Sequence, residues 1–319
     1  MPRFPAKGFL LQGGWLPSVL GLLWCVAWQC VSAGQTVTLL LSEPGGVYQE
    51  VARALRQELA KDGERWLLRA RSMDEPVPRG SEGVLVTVGV RALEQALTSP
   101  GEGAILALLV PRATFENLLA EPALVERKRL VTALYLDQPI QRQLKLIGLA
   151  LPEARRVGVL MGPASETLAD DLRRAAQATG MEMRIHSVRA PEQLFPALDA
   201  LAQEVDILLL LPDPLILNSG TLQTLIMHTY RQRLPIFAYS AGLVRSGALL
   251  GLYASPGQIG GEAGQWLREL ARPGGPRTEP SRAATAFTVD VNHNVARSLG
   301  LRLPPEADLS ALLGAEGRR

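Results

Sequence analysis

The sequence predicts an α/β protein of two lobes, each a parallel sheet covered by helices, with a hinge between them. Three observations predict it. Short runs rich in Val, Leu and Ile recur at 36–41, 84–88, 104–110, 131–136, 157–161, 205–211 and 236–239, and they are apolar on both alternating faces. Strands read this way when helices cover both sides of a sheet. Helix-period segments separate the runs, and repeated strand–helix units build parallel sheets with right-handed crossovers. The units also fall into two groups, 36–136 and 155–253, and the stretch between them holds one helical stripe and no low-complexity linker.

Composition agrees with a mid-sized globule made for small-molecule work. A chain of 319 residues suggests two domains, and 47% hydrophobic residues supply a packed core. Basic and acidic residues are nearly balanced, 33 against 31, and aromatics are 5%. That argues against a nucleic-acid binder, which needs a basic face or stacking platforms. Two cysteines exclude a disulfide scaffold and a four-cysteine zinc site.

Taken in order, residues 1–33 read as a secretory signal peptide. Arg3 and Lys7 precede an apolar stretch at 15–28, and Val31-Ser32-Ala33 forms the exit. The stretch is shorter than the roughly 20 residues of a membrane span, which makes an uncleaved anchor the alternative. Cys25 and Cys30 follow Trp24 and Gln29, not the small residues of a lipoprotein cleavage site. A soluble, exported, cysteine-free chain beginning at residue 34 is therefore expected, with 31 charges of each sign.

The first lobe, 34–138, starts with strand 36–41 and a helix on which Val47, Val51, Leu55 and Leu59 recur every four residues. The second lobe, 139–254, opens on a stripe of Ile140, Leu144 and Ile147. After strand 157–161, Leu168, Leu172 and Ala176 mark a helix that Gly180 ends. Pro191 starts the next, which carries Leu194, Leu198, Leu201 and Ala202. Leu222, Leu225, Ile226 and Thr229 make one more. Residues 255–303 break the alternation with a helix, a Pro/Gly/Arg-rich loop at 272–282, a strand at 286–291 and a helix at 292–299. That order reads as a late return shared between the lobes, and 304–319 reads as a dispensable tail.

Catalytic motifs are absent. The sequence has no G-x-x-x-x-G-K-[ST] loop, no strand followed by G-x-G-x-x-G and no G-x-S-x-G elbow. His186, His228 and His293 lie far apart, without carboxylates at metal-ligand spacing, so neither a metal nor a cofactor is expected.

Ligands of open parallel sheets sit outside the carboxyl ends of the strands. Those ends carry Ser42, Gly89, Val90, Arg91, Asp137, Gln138, Gly162, Asp213, Tyr239, Ser240 and Tyr253, the candidate binding residues. Asp213 or Asp137 can accept hydrogen bonds from an ammonium, and Tyr239 or Tyr253 can supply a flat apolar wall. Each alone is also an ordinary turn residue. As a set facing one hinge they mark a pocket between lobes.

The second half resembles a known family. The stretches that carry the resemblance are 131–136 with Gln143-Leu144-Lys145-Leu146-Ile147 and Leu151-Pro152, and Arg156-Val157-Gly158-Val159-Leu160. They continue with 206–213, Leu234-Pro235-Ile236-Phe237-Ala238-Tyr239-Ser240, Gly242 through Gly247-Ala248-Leu249, 260–270, and 289–300 ending in Ser298-Leu299-Gly300-Leu301. Over about 170 residues their order is similar to that of substrate-binding proteins of ABC transporters with the type I periplasmic-binding-protein fold, in the group of tryptophan/tyrosine-type binding proteins.

The resemblance implies two Rossmann-like lobes that close on a small ligand and deliver it to an ABC permease and its ATPase. It also implies a periplasmic, non-catalytic monomer. The ligand contacts it implies lie at Ser42, Gly89 to Arg91, Asp137 to Pro139, Gly162, Asp213, Tyr239-Ser240 and Tyr253. Two other readings remain open: a ligand-sensing or adaptor subunit acting on a membrane receptor or kinase, and an exported α/β enzyme.

Overall fold

The computed structural model describes residues 35–63, 66–71, 73–75, 83–100, 103–121, 129–271 and 280–316. The expected signal peptide lies outside them, as do residues 272–279 of the loop expected at 272–282.

Chain order in the first sheet is strand β1 (Gln35–Leu41), helix α1 (Gly46–Ala60), β2 (Trp66–Arg71), β3 (Val84–Val88), α2 (Val90–Thr98), β4 (Ile105–Val110), α3 (Arg112–Ala120) and β5 (Val131–Tyr135). The second sheet follows with α4 (Ile140–Ala150), β6 (Arg156–Met161), α5 (Ala169–Thr179), β7 (Glu182–Ser187), α6 (Leu194–Ala202), β8 (Ile207–Leu209), α7 (Leu222–Arg231), β9 (Ile236–Ala238), α8 (Ala241–Ser246) and β10 (Leu250–Tyr253). The return comprises α9 (Pro256–Leu270), β11 (Arg282–Ala283), β12 (Thr288–Val291), α10 (His293–Leu299) and α11 (Glu306–Glu316).

Two six-stranded sheets result, ordered β11-β5-β4-β3-β1-β2 and β12-β10-β9-β8-β6-β7. All pairings are parallel except β10 with β12. Strand alternation feeds two cores per sheet. In the first sheet Val37, Leu39, Val86, Val88, Leu106 and Leu108 pack under α1 and α9. Leu40, Leu85, Ile105 and Ala107 pack against α2 on the other face. The second sheet repeats this, with Val157, Val159, Ile207 and Leu209 on one side and Leu160, Leu208 and Ile236 on the other.

The chain crosses between sheets at 136–139, 254–255 and 284–287. Side chains tie these crossings together. Buried Gln138 donates to Ala284 O at 3.4 Å, and its Oε1 accepts from Arg142 at 2.6 Å. Gln258 completes a capping box with Ser255 and donates to Phe287 O at 3.4 Å. Glu262 accepts the Thr285 N–H at 2.9 Å and pairs with Arg282.

Helix α9 belongs to the first lobe, where it lies directly on α1. A Cβ on Gly260 would stand 2.4 Å from Val51 O, so glycine is what lets the two backbones meet. Arg268 clamps the same pair, reaching Glu58 at 2.9 Å and Asp62 at 2.7 Å.

One expectation needs correcting. Residues 304–319 were expected to form a dispensable tail, but they carry α11, whose Leu309 and Leu313 are buried in the second lobe's core. Val47, on the apolar stripe of α1, is 48% exposed, because it lines the cleft at the helix start and not the core.

Candidate functional site

Several predicted residues are brought to the carboxyl ends of the strands, where many of their polar atoms already have partners in the fold. Helix α2 begins at Gly89, which has φ +94 and no side chain to cap the helix. Buried Ser42, at the end of neighbouring β1, supplies the missing acceptor: its Oγ takes the Ala92 N–H at 3.0 Å. A Cβ on Gly89 would meet that Oγ at 2.5 Å, so glycine keeps the contact open as well as permitting the backbone angle.

Asp137 does the same for α3, whose N-cap Pro111 offers no side-chain acceptor. It follows β5, which pairs with β4, and its Oδ1 takes the Arg112 N–H at 2.8 Å. Asp213, 2% exposed, follows β8, the neighbour of β6. Its Oδ2 takes both the Ser165 N–H at 3.0 Å and the Ser165 O–H at 2.8 Å, while its Oδ1 takes the Leu215 N–H at 3.0 Å.

One rule of parallel sheets produces all three contacts. The carboxyl end of a strand lies beside the segment that follows its neighbour, so a short polar side chain there can satisfy that segment's free N–H groups. Asp213, expected to accept hydrogen bonds from an ammonium, already accepts three from the fold, two of them from Ser165. Gly162 belongs to the same cluster, since a Cβ there would stand 2.4 Å from the Asp213 carboxylate. Gln138 is spent on the hinge. Val90 is half-buried at the start of α2, and Arg91 is exposed beside it.

Tyr239, Ser240 and Tyr253 face a different space, a cleft of about 480 Å³ lined by both lobes. From the first lobe come Val47, Tyr48 and Glu50 at the start of α1, Leu109 at the bulged end of β4, and Leu136. Ala241, Gly242 and Arg245 of α8 join the three predicted residues from the second. Burial and the nearby charges of Asp137 and Asp213 push the Tyr239 phenol up to about 12. Burial also raises the Tyr253 phenol, whose hydroxyl donates to Asp290 at 2.8 Å. The Ser240 Oγ caps α8 at the Leu243 N–H.

Sequence reasoning missed the α1 contribution because Tyr48 lies between stripe positions. It missed Leu109 because nothing in an apolar run announces a bulge. The cleft walls are aromatic and aliphatic, and the charged groups lining them, Glu50 and Arg245, are exposed.

A larger cavity of about 600 Å³ lies at the opposite end of the second sheet. All its lining residues, among them Leu151, Gln232 and Leu301, belong to the second lobe, so lobe movement would not open or close it.

Comparison with known proteins bears on this geometry. The model of the ABC transporter substrate binding protein family matches residues 123–311, more than half of the chain. The chain belongs to that family. Its fold is that of solved periplasmic-binding-protein structures. An ABC domain from Streptococcus pneumonia in complex with L-Trp matches with a TM-score of 0.61 at 16% identity, covering 87% of this chain and 98% of that one. A substrate-binding protein with adhesive properties from Clostridium difficile, in its ligand-free, open form, matches with a TM-score of 0.63 at 14% identity, over 85% and 96% of the two chains. A conserved domain protein from Vibrio cholerae matches with a TM-score of 0.61 at 17% identity, over 87% and 97%. No curated protein matches the sequence at a significant level. Membership in this family supports a ligand-binding role.

Proposed function

We propose that the chain is an exported solute-binding protein that holds one small molecule in the cleft between its lobes and delivers it to an ABC permease. The observation that carries this reading is the cleft itself, which draws residues from both lobes and spans a tied three-segment hinge. Its size falls within the roughly 300–1,000 Å³ of small-molecule sites. Ligand bound to one lobe gains contacts from the other when the hinge closes, so the bound state is the closed one.

The contact set we assign narrows the predicted one to Tyr239, Ser240 and Tyr253 and adds Tyr48, Leu136 and Arg245. Residues 1–33 act as a cleavable signal and place the mature chain in the periplasm as a monomer. The ligand is an amino acid or a similar carboxylate, a reading supported by the L-Trp held by a protein of the same fold.

A thermal-melt screen of the chain from residue 34 against amino acids, small carboxylates, purines and sugars tests the proposal. A ligand present at about 100 times its dissociation constant adds roughly 2.7 kcal/mol, a shift of about 5–11 °C at this size. A flat screen on well-folded protein would transfer the weight to an adaptor whose partner is another protein.

A further inference from the structure

Among the described residues, the non-glycine positions with left-handed backbone are Leu109 and Arg233, both at φ +55. Arg233 closes the end of α7, where its own N–H reaches Tyr230 O at 3.1 Å and the next residue's N–H reaches Thr229 O at 3.0 Å. That backbone shape is an ordinary helix ending. Leu109 has no such explanation. It sits in β4 between Leu108, which pairs with Leu134, and Val110, which pairs with Tyr135, and is the extra residue of a bulge.

The bulge has a structural use, because it carries Val110 and Pro111 to the place where Asp137 can cap α3. That use fixes the backbone, while the side chain packs partly against the first lobe's core and partly lines the cleft. Glycine is the residue that suits a left-handed bulge position, and a bulky branched side chain there is strained. Strain of this kind persists where the surrounding structure over-determines it, and it clusters at binding and catalytic sites. The strained backbone leaves the Leu109 side chain half-buried and lining the cleft, near Leu136 and the tyrosines.

We infer that Leu109 is a specificity-determining residue, an apolar floor tile that selects ligands presenting a flat apolar face over polyols. The inference rests on the binding reading above and adds to it a ligand class and a residue. A hydroxyl-rich ligand would leave its donors without partners against leucine, whereas an aromatic or aliphatic face would bury surface on it.

The test titrates the purified protein with N-phenyl-1-naphthylamine, a neutral apolar dye whose fluorescence rises on leaving water. Leu109→Asn keeps a residue that tolerates the left-handed backbone but makes the tile polar. Leu109→Ala and Leu109→Gly remove the tile. Wild type should bind the dye, and all three variants should bind at least about tenfold more weakly, the worth of a lost apolar side chain. Leu109→Gly should also melt above Leu109→Ala, the reverse of the order seen at unstrained strand positions.

No dye binding by wild type, or equal affinity in the variants, overturns the inference. So does Leu109→Gly melting below Leu109→Ala, because the site would then be unstrained. A ligand held only by polar contacts would still register in the thermal screen, so this inference can fail while the binding function stands.

Discussion

Asp213 illustrates how one side chain is claimed by two roles. Removing this buried carboxylate leaves the Leu215 N–H without an acceptor, at about 1–3 kcal/mol, and strips the Ser165 N–H and O–H of their charged partner while Gly162 O, at 3.2 Å from each, still accepts from them. Asp213→Ala should therefore lose about 2–4 kcal/mol in urea unfolding. Full stability combined with weakened ligand binding would return Asp213 to the ligand. Asp137 makes a prediction of opposite sign. Burial pushes its carboxyl up to about 6, against the hydrogen bond from the Arg112 N–H. An unfolded aspartate titrates near 3.9, so between about pH 4 and 6 the folded state binds the extra proton and stability falls as pH rises. The penalty is complete above the folded value and gone below the unfolded one. Asp137→Asn keeps a carbonyl for the Arg112 N–H and discards the charge. It should exceed wild type by on the order of 1–2 kcal/mol near pH 7.5 and equal it near pH 4, as denaturation at both pH values would show.

Elements were legible in the sequence in proportion to their burial. The seven apolar runs expected as strands are all present, because central parallel strands are apolar on both faces, and the strand expected at 286–291 appears as β12. Of the strands outside those expected, β2, β7 and β11 lie at the edges of their sheets, where one face meets water, and the central β10 is only four residues long. Trp66-Leu67-Leu68-Arg69-Ala70-Arg71 and Glu182-Met183-Arg184-Ile185-His186-Ser187 mix charge into the pattern, and in β7 only Met183 and Ile185 reach the core. Helix α11 was missed for a related reason. It shows two buried positions, Leu309 and Leu313, four residues apart, among exposed neighbours such as Leu312. Two buried leucines contribute about 1.5–3 kcal/mol each. Ending the chain at residue 303 should thus lower stability by about 3–6 kcal/mol, read in the urea transition of the second lobe; an unchanged midpoint would restore the dispensable tail. In the site, strand-end positions were legible because topology places them, while their hydrogen-bond partners were not, since these depend on which strands are neighbours.

At the scale of the whole molecule, the lobes meet along α3 as well as at the hinge. Ala113 of that helix is buried in the second lobe's core. Arg112, which also holds Glu116 at 2.8 Å, reaches Asp171 of α5 at 2.7 Å, and Asn117 donates to Ala164 O at 3.2 Å. These contacts bridge the lobes at a place distinct from the residues lining the cleft, so they can bias the open–closed balance without touching ligand. The Arg112 side chain is 39% exposed, and ion pairs at such sites contribute at most about 1 kcal/mol to stability. The same small energy can still matter for an equilibrium between two conformations that lie close together. Asp171→Asn combined with Asn117→Ala should leave the melting temperature within a few degrees of wild type while enlarging the radius of gyration of the ligand-free protein in solution scattering. Ligand should then bind more weakly in proportion to the lost closed population, because apparent affinity scales with the competent fraction. Raising salt should shift wild type toward the double variant, since the exposed pair is screened. Superimposable scattering curves at low salt would show that α3 rests on the second lobe without holding it, leaving the hinge alone to set the angle between lobes.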